Sequence, residues 1–191
     1  MTCIGYSKTR KQVAVGYVRQ GDKRAYVGID HVRNGDQKFK YQLTIDPFEG
    51  QEMPTVQKQV TSVALSGDGQ NLLVIVNGGT EIRAIAYRLS NNTGPWVAKV
   101  VCSLEFHPSQ SITKCSFHPT DKSMVLLMGP GFLQQYFITE EQLAPQELPY
   151  TNLPRPMAQL QFQDFDFTED YQVVAALKTG EVLIFHLFEC I

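Results

Sequence analysis

The sequence predicts an all-β chain assembled from a repeated hairpin, and three observations lead there. No stretch of three turns places apolar residues at i, i+3, i+4 and i+7, so helices do not supply the core. Short runs rich in Val, Ile, Leu, Phe and Tyr recur along the 191 residues instead, each bounded by Gly, Pro, Asn, Asp or Ser, the residues that punctuate strands. One plan then appears four times: a short strand stopped by a small or polar residue, a tight polar turn, and an apolar strand.

The first unit reads Cys3-Ile-Gly-Tyr-Ser7, a turn over 8–12, then Val13-Ala-Val. The second reads Val63-Ala-Leu-Ser66, a turn over 67–71, then Leu72-Leu-Val-Ile-Val76. The third is Cys115-Ser-Phe-His118, 119–123 and Met124-Val-Leu-Leu-Met128; the fourth is Phe165-Asp-Phe-Thr168, 169–172 and Val173-Val-Ala-Ala-Leu177. The anchors Ser7, Ser66, His118 and Thr168 are separated by 59, 52 and 50 residues. A third strand is expected after each hairpin, at 24–32, 80–89, 131–138 and 181–187, and a fourth at 38–45, 97–106 and 158–162. Four strands at this period is the signature of a β-propeller. A sandwich or barrel is the alternative, but it has less reason to repeat at such a spacing. The expected division is blade 1 at 1–50, blade 2 at 51–107, blade 3 at 108–163 and an incomplete blade 4 at 164–191. Loops are expected at 46–54, 91–95 and 140–156. The last holds Pro145, Pro149, Pro154 and Pro156, and reads as a surface connector because proline cannot continue a sheet ladder.

Composition narrows the function. Hydrophobic residues make up 43% and charged residues 19%, with a net charge of -2, which suits neither a disordered chain nor a polybasic nucleic-acid binder. The longest apolar runs are strand-sized, far below the roughly 20 residues of a membrane helix, and residues 1–10 hold no signal-like apolar block. Four scattered cysteines, Cys3, Cys102, Cys115 and Cys190, suit a reducing compartment. A cytoplasmic location is expected. The charge is uneven along the chain: residues 1–40 carry nine Lys or Arg against three Asp, while 140–191 carry two basic residues against nine acidic ones. Either solvated turns happen to differ in charge, or a polar surface meets an acidic partner.

Catalytic and cofactor signatures are sparse. Neither a phosphate-binding Gly-x-x-x-x-Gly-Lys-Ser/Thr loop nor a Gly-x-Gly-x-x-Gly fingerprint occurs, and Gly129-Pro-Gly131 reads as a turn. Cys102, His107, Cys115 and His118 offer zinc-type donors, yet the two cysteines fall on different expected strands rather than in a Cys-x2-4-Cys pair. His118 is expected to satisfy turn backbone groups and Cys115 to pack as a small hydrophobe. Ser66 lies in no Gly-x-Ser-x-Gly elbow, and the acidic pairs Asp164/Asp166 and Glu169/Asp170 read as solvated. Tyr6, Tyr17, Tyr26 and Tyr41 interleave with basic residues, but strand tyrosines usually pack on their neighbours, so nucleic acid is not expected. No cofactor, no metal and no catalytic residue are expected.

The stretch Ser116-Phe-His-Pro-Thr-Asp-Lys122 leading to Met128-Gly129 resembles the inner hairpin of WD-repeat propellers, although no Trp-Asp dipeptide ends a third strand and no Gly-His precedes a blade. Ser7-Lys-Thr-Arg-Lys-Gln-Val-Ala-Val15, Arg24-Ala-Tyr-Val-Gly-Ile-Asp30, Val63-Ala-Leu-Ser-Gly-Asp-Gly-Gln-Asn-Leu-Leu73 and Cys115-Ser-Phe-His-Pro-Thr-Asp121 together resemble the propeller region of cilia- and flagella-associated WD-repeat proteins. The resemblance implies a non-catalytic scaffold of the axoneme, acting in cilium assembly or motility, with axonemal subunits, tubulin or dynein-associated complexes as partners. That family's coiled coil and usual blade number are not reached in these residues, so missing blades or a partner chain are expected to cover open strand edges. The candidate protein-binding residues are Lys8, Arg10, Lys11, Lys23 and Arg24. The alternatives are a trafficking or other cytoplasmic adaptor, and a propeller hydrolase, which would need His or carboxylate groups converging from several blades.

Overall fold

The computed structural model describes residues 3–19, 21, 24–32, 42–50, 58–79, 81–91, 95–107, 109–148, 153–168 and 171–187. Their strands form four successive antiparallel sheets. The first is β1 (Cys3–Ser7), β2 (Gln12–Val18), β3 (Ala25–His31) and β4 (Leu43–Ile45). The second is β5 (Gln59–Leu65), β6 (Asn71–Asn77), β7 (Ile82–Ser90) and β8 (Val97–Phe106). The third is β9 (Lys114–Phe117), β10 (Met124–Gly129), β11 (Phe132–Ile138) and β12 (Leu143–Gln146). β13 (Phe162–Phe167), β14 (Gln172–Leu177) and β15 (Val182–His186) make the three-stranded fourth. Each sheet is a meander; β1 packs against β5 and β5 against β9, and the third sheet meets the fourth through β10 and β13, which is the radial order of propeller blades.

The register explains the repeat. Ser7 faces Gln12 directly, while Leu65 faces Leu72, Phe117 faces Val125 and Phe167 faces Val173. Ser66, His118 and Thr168 are therefore the residues where each ladder ends, and their amides close the turns onto the carbonyls of Asn71, Met124 and Gln172, all at 2.9 Å.

Because side chains alternate across a strand, each inner strand feeds two interfaces. On β5, Val63 and Leu65 turn toward the first sheet and join Ala14, Val27 and Ile29, whereas Ala64 turns toward the third and joins Cys115 and Phe117. A third cluster, with Leu126, Met128, Phe165, Val173 and Phe185, joins the third sheet to the fourth. β6 and β10 lie between two neighbours and read as continuous buried runs; β14, with a neighbour on one side only, alternates buried and half-buried. Each large side chain buried in these clusters contributes roughly 1.5–3 kcal/mol.

Two expectations are corrected. The fourth strand of the third sheet is β12, inside the proline-rich segment, while part of 158–162 belongs to a short 3-10 turn (Met157–Gln159) and Phe162 opens β13. Pro145 is tolerated because β12 is the outer edge of its sheet, where a missing amide costs the ladder little. Leu143, buried at its start, and a bond from Gln134 Nε2 to the Gln146 carbonyl (2.5 Å) hold it in place. In the first sheet the fourth strand is Leu43–Ile45; residues 38–41 of the expected strand lie outside the described residues. Among the described residues no helix is long and apolar enough to cross a membrane.

Candidate protein-interaction surface

The turns β1–β2, β5–β6, β9–β10 and β13–β14 gather at one end of the sheets and touch in sequence. Ser7 Oγ donates to the Gly67 carbonyl at 2.8 Å. Asn71 Nδ2 donates to the Lys122 carbonyl at 3.1 Å, and Lys122 Nζ lies 3.7 Å from Asp68 Oδ2. His118 stacks on Tyr171 with ring centroids 4.5 Å apart and meets Phe167 edge-on at 5.2 Å. This end is thus a continuous polar rim whose links each join one sheet to the next.

Three of the five candidate binding residues sit on that rim. Lys8, Arg10 and Lys11 are exposed in the β1–β2 turn, and none of the ion pairs among the described residues engages them. Arg24 is not with them. It precedes β3 at the opposite end of the first sheet, roughly 20 Å away along a seven-residue strand. There its Nη1 binds Asp46 Oδ2 at 3.0 Å with both side chains mostly buried. Lys23 lies outside the described residues. The structure therefore divides a cluster that looked contiguous in the sequence.

The polar groups of the rim are chiefly occupied in holding turns. Ser66 Oγ donates to Asp68 Oδ1 (2.6 Å) and accepts from the Asn71 amide (2.9 Å). Burial alone would raise the Asp68 carboxyl, but the Ser66 hydroxyl, the Gln70 amide and the nearby cations Lys122 and Arg10 hold it below its usual range. Gly69, at φ +66°, lies against the first sheet: a Cβ there would come within 2.1 Å of Gln12 Oε1 and 2.8 Å of Arg10 Cγ. Gln12 itself is fully buried with no hydrogen-bond partner for its amide.

His118 does what its place in the repeat suggests. Its Nδ1 accepts from the amides of Asp121 (3.2 Å) and Thr120 (3.4 Å). This requires the neutral ring with its proton on Nε2. Burial pushes its pKa down, opposed by the Asp121 charge. The unfolded chain, whose histidine titrates near 6.5, therefore binds the extra proton first. The stability due to His118 is present above that value and is lost as pH falls below it toward the lowered folded pKa. Asparagine at 118, whose carbonyl can accept the same amides without titrating, is expected to flatten this part of the pH dependence as pH falls below about 6.5. It should cost about 1 kcal/mol at pH 7.5. Urea midpoints of wild type and His118→Asn across that range check it.

The remaining donor groups stay apart. Cys102 is on β8, the outermost strand of its sheet, and Cys115 on β9, the innermost of the next. Cys115 donates its amide (3.0 Å) and thiol (3.3 Å) to Ser62 Oγ; burial pushes the thiol up to about 12 against that hydrogen bond. Among the described residues no three His, Cys, Asp or Glu side chains converge as metal ligands. Asp164 pairs with Lys114, Asp166 accepts from the Phe167 amide (2.9 Å), and residues 129–131 join β10 to β11. A groove of about 590 Å³ between the first two sheets is lined in part by Asp46, Arg83, Tyr87 and Trp96. Burial raises the Tyr87 hydroxyl to about 12, so it stays neutral there.

Lys114 escaped the sequence reading. It crosses from β9 to β13, where its Nζ meets Asp164, donates to the Phe165 carbonyl at 2.6 Å and sits 4.6 Å from the Phe165 ring centre. A lone lysine at the start of a short strand carries no sign of such a link.

No protein-family model matches the chain, and no curated protein matches it. Solved structures do. The β-propeller domain of Cps50 (Swd1) from Myceliophteria thermophila superposes with a TM-score of 0.65 at 17% identity, covering 96% of this chain and 50% of that one. Sqt1 from Chaetomium thermophilum superposes at 0.64 with 13% identity, covering 98% of this chain and 43% of that one. A second structure of Chaetomium thermophilum Sqt1 gives 0.61 and 10%, over 98% and 44%. Identities this low speak to fold alone. The fold is a partial β-propeller of WD-repeat type, and the chain spans about half the length of the solved structures it matches.

Proposed function

We propose that this chain is a non-catalytic protein-interaction scaffold of the ciliary or flagellar axoneme, in the cytoplasmic and cytoskeletal compartment, contributing to cilium assembly or motility. The supporting observation is the rim itself: the polar groups that recur from blade to blade close turns and link sheets, leaving Lys8, Arg10 and Lys11 exposed and without an ion-pair partner among the described residues. A rigid disc edge with a cluster of cations suits an acidic protein surface, for which the axonemal resemblance supplies tubulin or dynein-associated subunits. Arg24, paired with Asp46 at the far end, is not part of this surface. An adaptor in another cytoplasmic complex would use the same rim with a different partner.

Co-sedimentation with microtubules tests the reading. Binding is expected to weaken steeply between about 50 and 200 mM salt, because it rests on exposed charges. Replacing Lys8, Arg10 and Lys11 by glutamate together is expected to abolish it without unfolding the chain. Binding indifferent to salt or to the triple substitution would remove the rim from the account; none at low salt would remove tubulin.

A further inference from the structure

The junction between the first and second sheets keeps a groove at a place that the next junction fills. Tyr87 and Tyr136 hold the same position in their sheets, opposite Leu72 and Val125, which pair in turn with Leu65 and Phe117. Between the second and third sheets, Phe106 of β8 meets Tyr136 and Phe132 edge-on, with ring centroids 6.1 Å apart in each pair, and Leu143 of β12 is buried in the same cluster. Between the first and second sheets the corresponding outer strand, β4, has only three residues, and the groove of about 590 Å³ lies between it and β8. Its floor is the face of β7 on which Arg83, Ile85 and Tyr87 alternate. Val97 and Val100 of β8 line it at 54% and 53% exposure, an apolar flank without a covering partner among the described residues.

Arg83 breaks the pattern at the end of that floor. Its register equivalents on β3 and β11 are the aromatics Tyr26 and Phe132, so the fold itself does not call for a cation there. The Arg83 side chain is 16% exposed, and its Nε and Nη2, the two donors of one guanidinium edge, are buried without a hydrogen-bond acceptor. Glu81 Oε1 lies 3.2 Å from Nη2 as an ion pair but without the alignment of a hydrogen bond, and among the described residues no other carboxylate pairs with Arg83. Asp46, which also lines the groove, is engaged elsewhere: Oδ2 with Arg24 Nη1 at 3.0 Å and Oδ1 with the Phe48 amide at 2.8 Å. A guanidinium edge of this kind fits a carboxylate in two parallel hydrogen bonds, and a buried donor is costly to leave unmade. We propose that the groove binds an extended segment of a partner protein in which one Asp or Glu is flanked by apolar residues. The carboxylate accepts from Nε and Nη2 of Arg83, whose edge turns into the groove by rotation at the end of the side chain, and an apolar neighbour lies against Val97, Val100 and Trp96. Glu49, on the wall that carries Asp46, repels further negative charge and so selects a single carboxylate over a phosphate or a nucleic-acid backbone. This surface is independent of the cationic rim, since Asp46 and its partner Arg24 lie at the end of the first sheet away from Lys8, Arg10 and Lys11.

Selection of a displayed library of random heptapeptides on the purified chain tests this, the leading sequence then being synthesised as the probe. Enriched peptides are expected to carry one Asp or Glu beside Leu, Val or an aromatic residue. Changing that acid to its amide should weaken binding at least about 10-fold, and so should Arg83→Lys, which keeps the charge but not the two-donor edge. Val100→Glu, which adds a carboxylate to the groove, should do the same; because Val100 is more than half exposed, this variant should keep the circular dichroism of the wild type and tests the site whether or not Arg83 variants fold. On titration with the peptide the Nε proton of Arg83 should shift in the NMR spectrum. Joint replacement of Lys8, Arg10 and Lys11 by glutamate should leave the affinity for the peptide unchanged, which separates this site from the rim. Failure to enrich acidic peptides, binding indifferent to Arg83→Lys and Val100→Glu, or binding lost with the rim substitutions would overturn the proposal. Benzoate binding as tightly as the peptide would also overturn it, by making the groove a site for small carboxylates.

Discussion

Replacing Gly129 by alanine is expected to remove most of the stability of the chain. Gly129 ends β10 where residues 111–113 cross it, and a Cβ built there would lie 1.7 Å from the Ser111 carbonyl oxygen and 2.8 Å from its carbon. Both atoms are backbone, so no rotamer change relieves the clash. The crossing segment is pinned from both sides. The Thr113 amide donates to the Met128 carbonyl at 2.8 Å, and Ile112 is buried in the cluster between the second and third sheets. Accommodating one methyl group would pull these contacts apart, at a cost of about 3–5 kcal/mol out of a total that for a domain of this kind is roughly 5–15 kcal/mol. Gly180 is the control. Its φ is +87°, but a Cβ there meets nothing within 4 Å, so Gly180→Ala should cost only the left-handed backbone penalty of about 1 kcal/mol. Equilibrium urea unfolding of the two variants compares them directly.

The second large effect is expected at Phe165, and it should be local. On β13, Phe165 points to the third sheet, 3% exposed, among Leu126, Met128 and Val173, with Lys114 Nζ over its ring. Truncation to alanine opens a cavity and strips the apolar half of the Lys114 link, at about 3–5 kcal/mol. Among the described residues the blades pack chiefly on their sequence neighbours, so stability is shared much as in a stacked repeat. Phe165→Ala should therefore release amide protection in β13, β14 and β15 while β5, β6 and β7 keep theirs, as read by native-state hydrogen exchange. Uniform loss across all four sheets would mean the arc unfolds as one unit.

What could be read from the sequence follows from where the information is local. The turn anchors Ser66 and His118 were recognisable because short polar side chains and imidazoles at ladder ends have a defined task, closing the turn, and the structure assigns them that task, whereas Ser7 at the equivalent place reaches across to the Gly67 carbonyl of the next sheet. Strand β12 was hidden because Pro145 forbids an interior strand, whereas its edge position depends on the sheet it joins. The candidate site was half legible. Lys8, Arg10 and Lys11 share a turn, so proximity in sequence is proximity in space. Arg24 is separated from them by a strand, and a strand carries its two ends to opposite sides of the sheet. The contacts Gly129 and Gly5 make with other segments have no local signature at all, since a glycine needed for close approach looks the same as one needed for a turn.

The radial order of the sheets underlies every expectation above, and one NMR measurement addresses it. In the structure a Cβ on Gly5 would lie 3.2 Å from Ala64 Cα, and one on Gly129 would lie 3.5 Å from Ile112 Cα. Short-range nuclear Overhauser contacts are therefore expected between the α-protons of Gly5 and Ala64, and between those of Gly129 and Ile112. Observing the Gly5–Ala64 contact, together with contacts from the Cys115 amide proton to Ser62, whose Oγ it bonds at 3.0 Å, and from the Lys114 side chain to Phe165, would establish the four sheets in sequence about one axis, the Gly129–Ile112 contact fixing the third sheet internally. Their absence, with contacts instead pairing the first and fourth sheets face to face, would describe a sandwich and contradict the propeller arc.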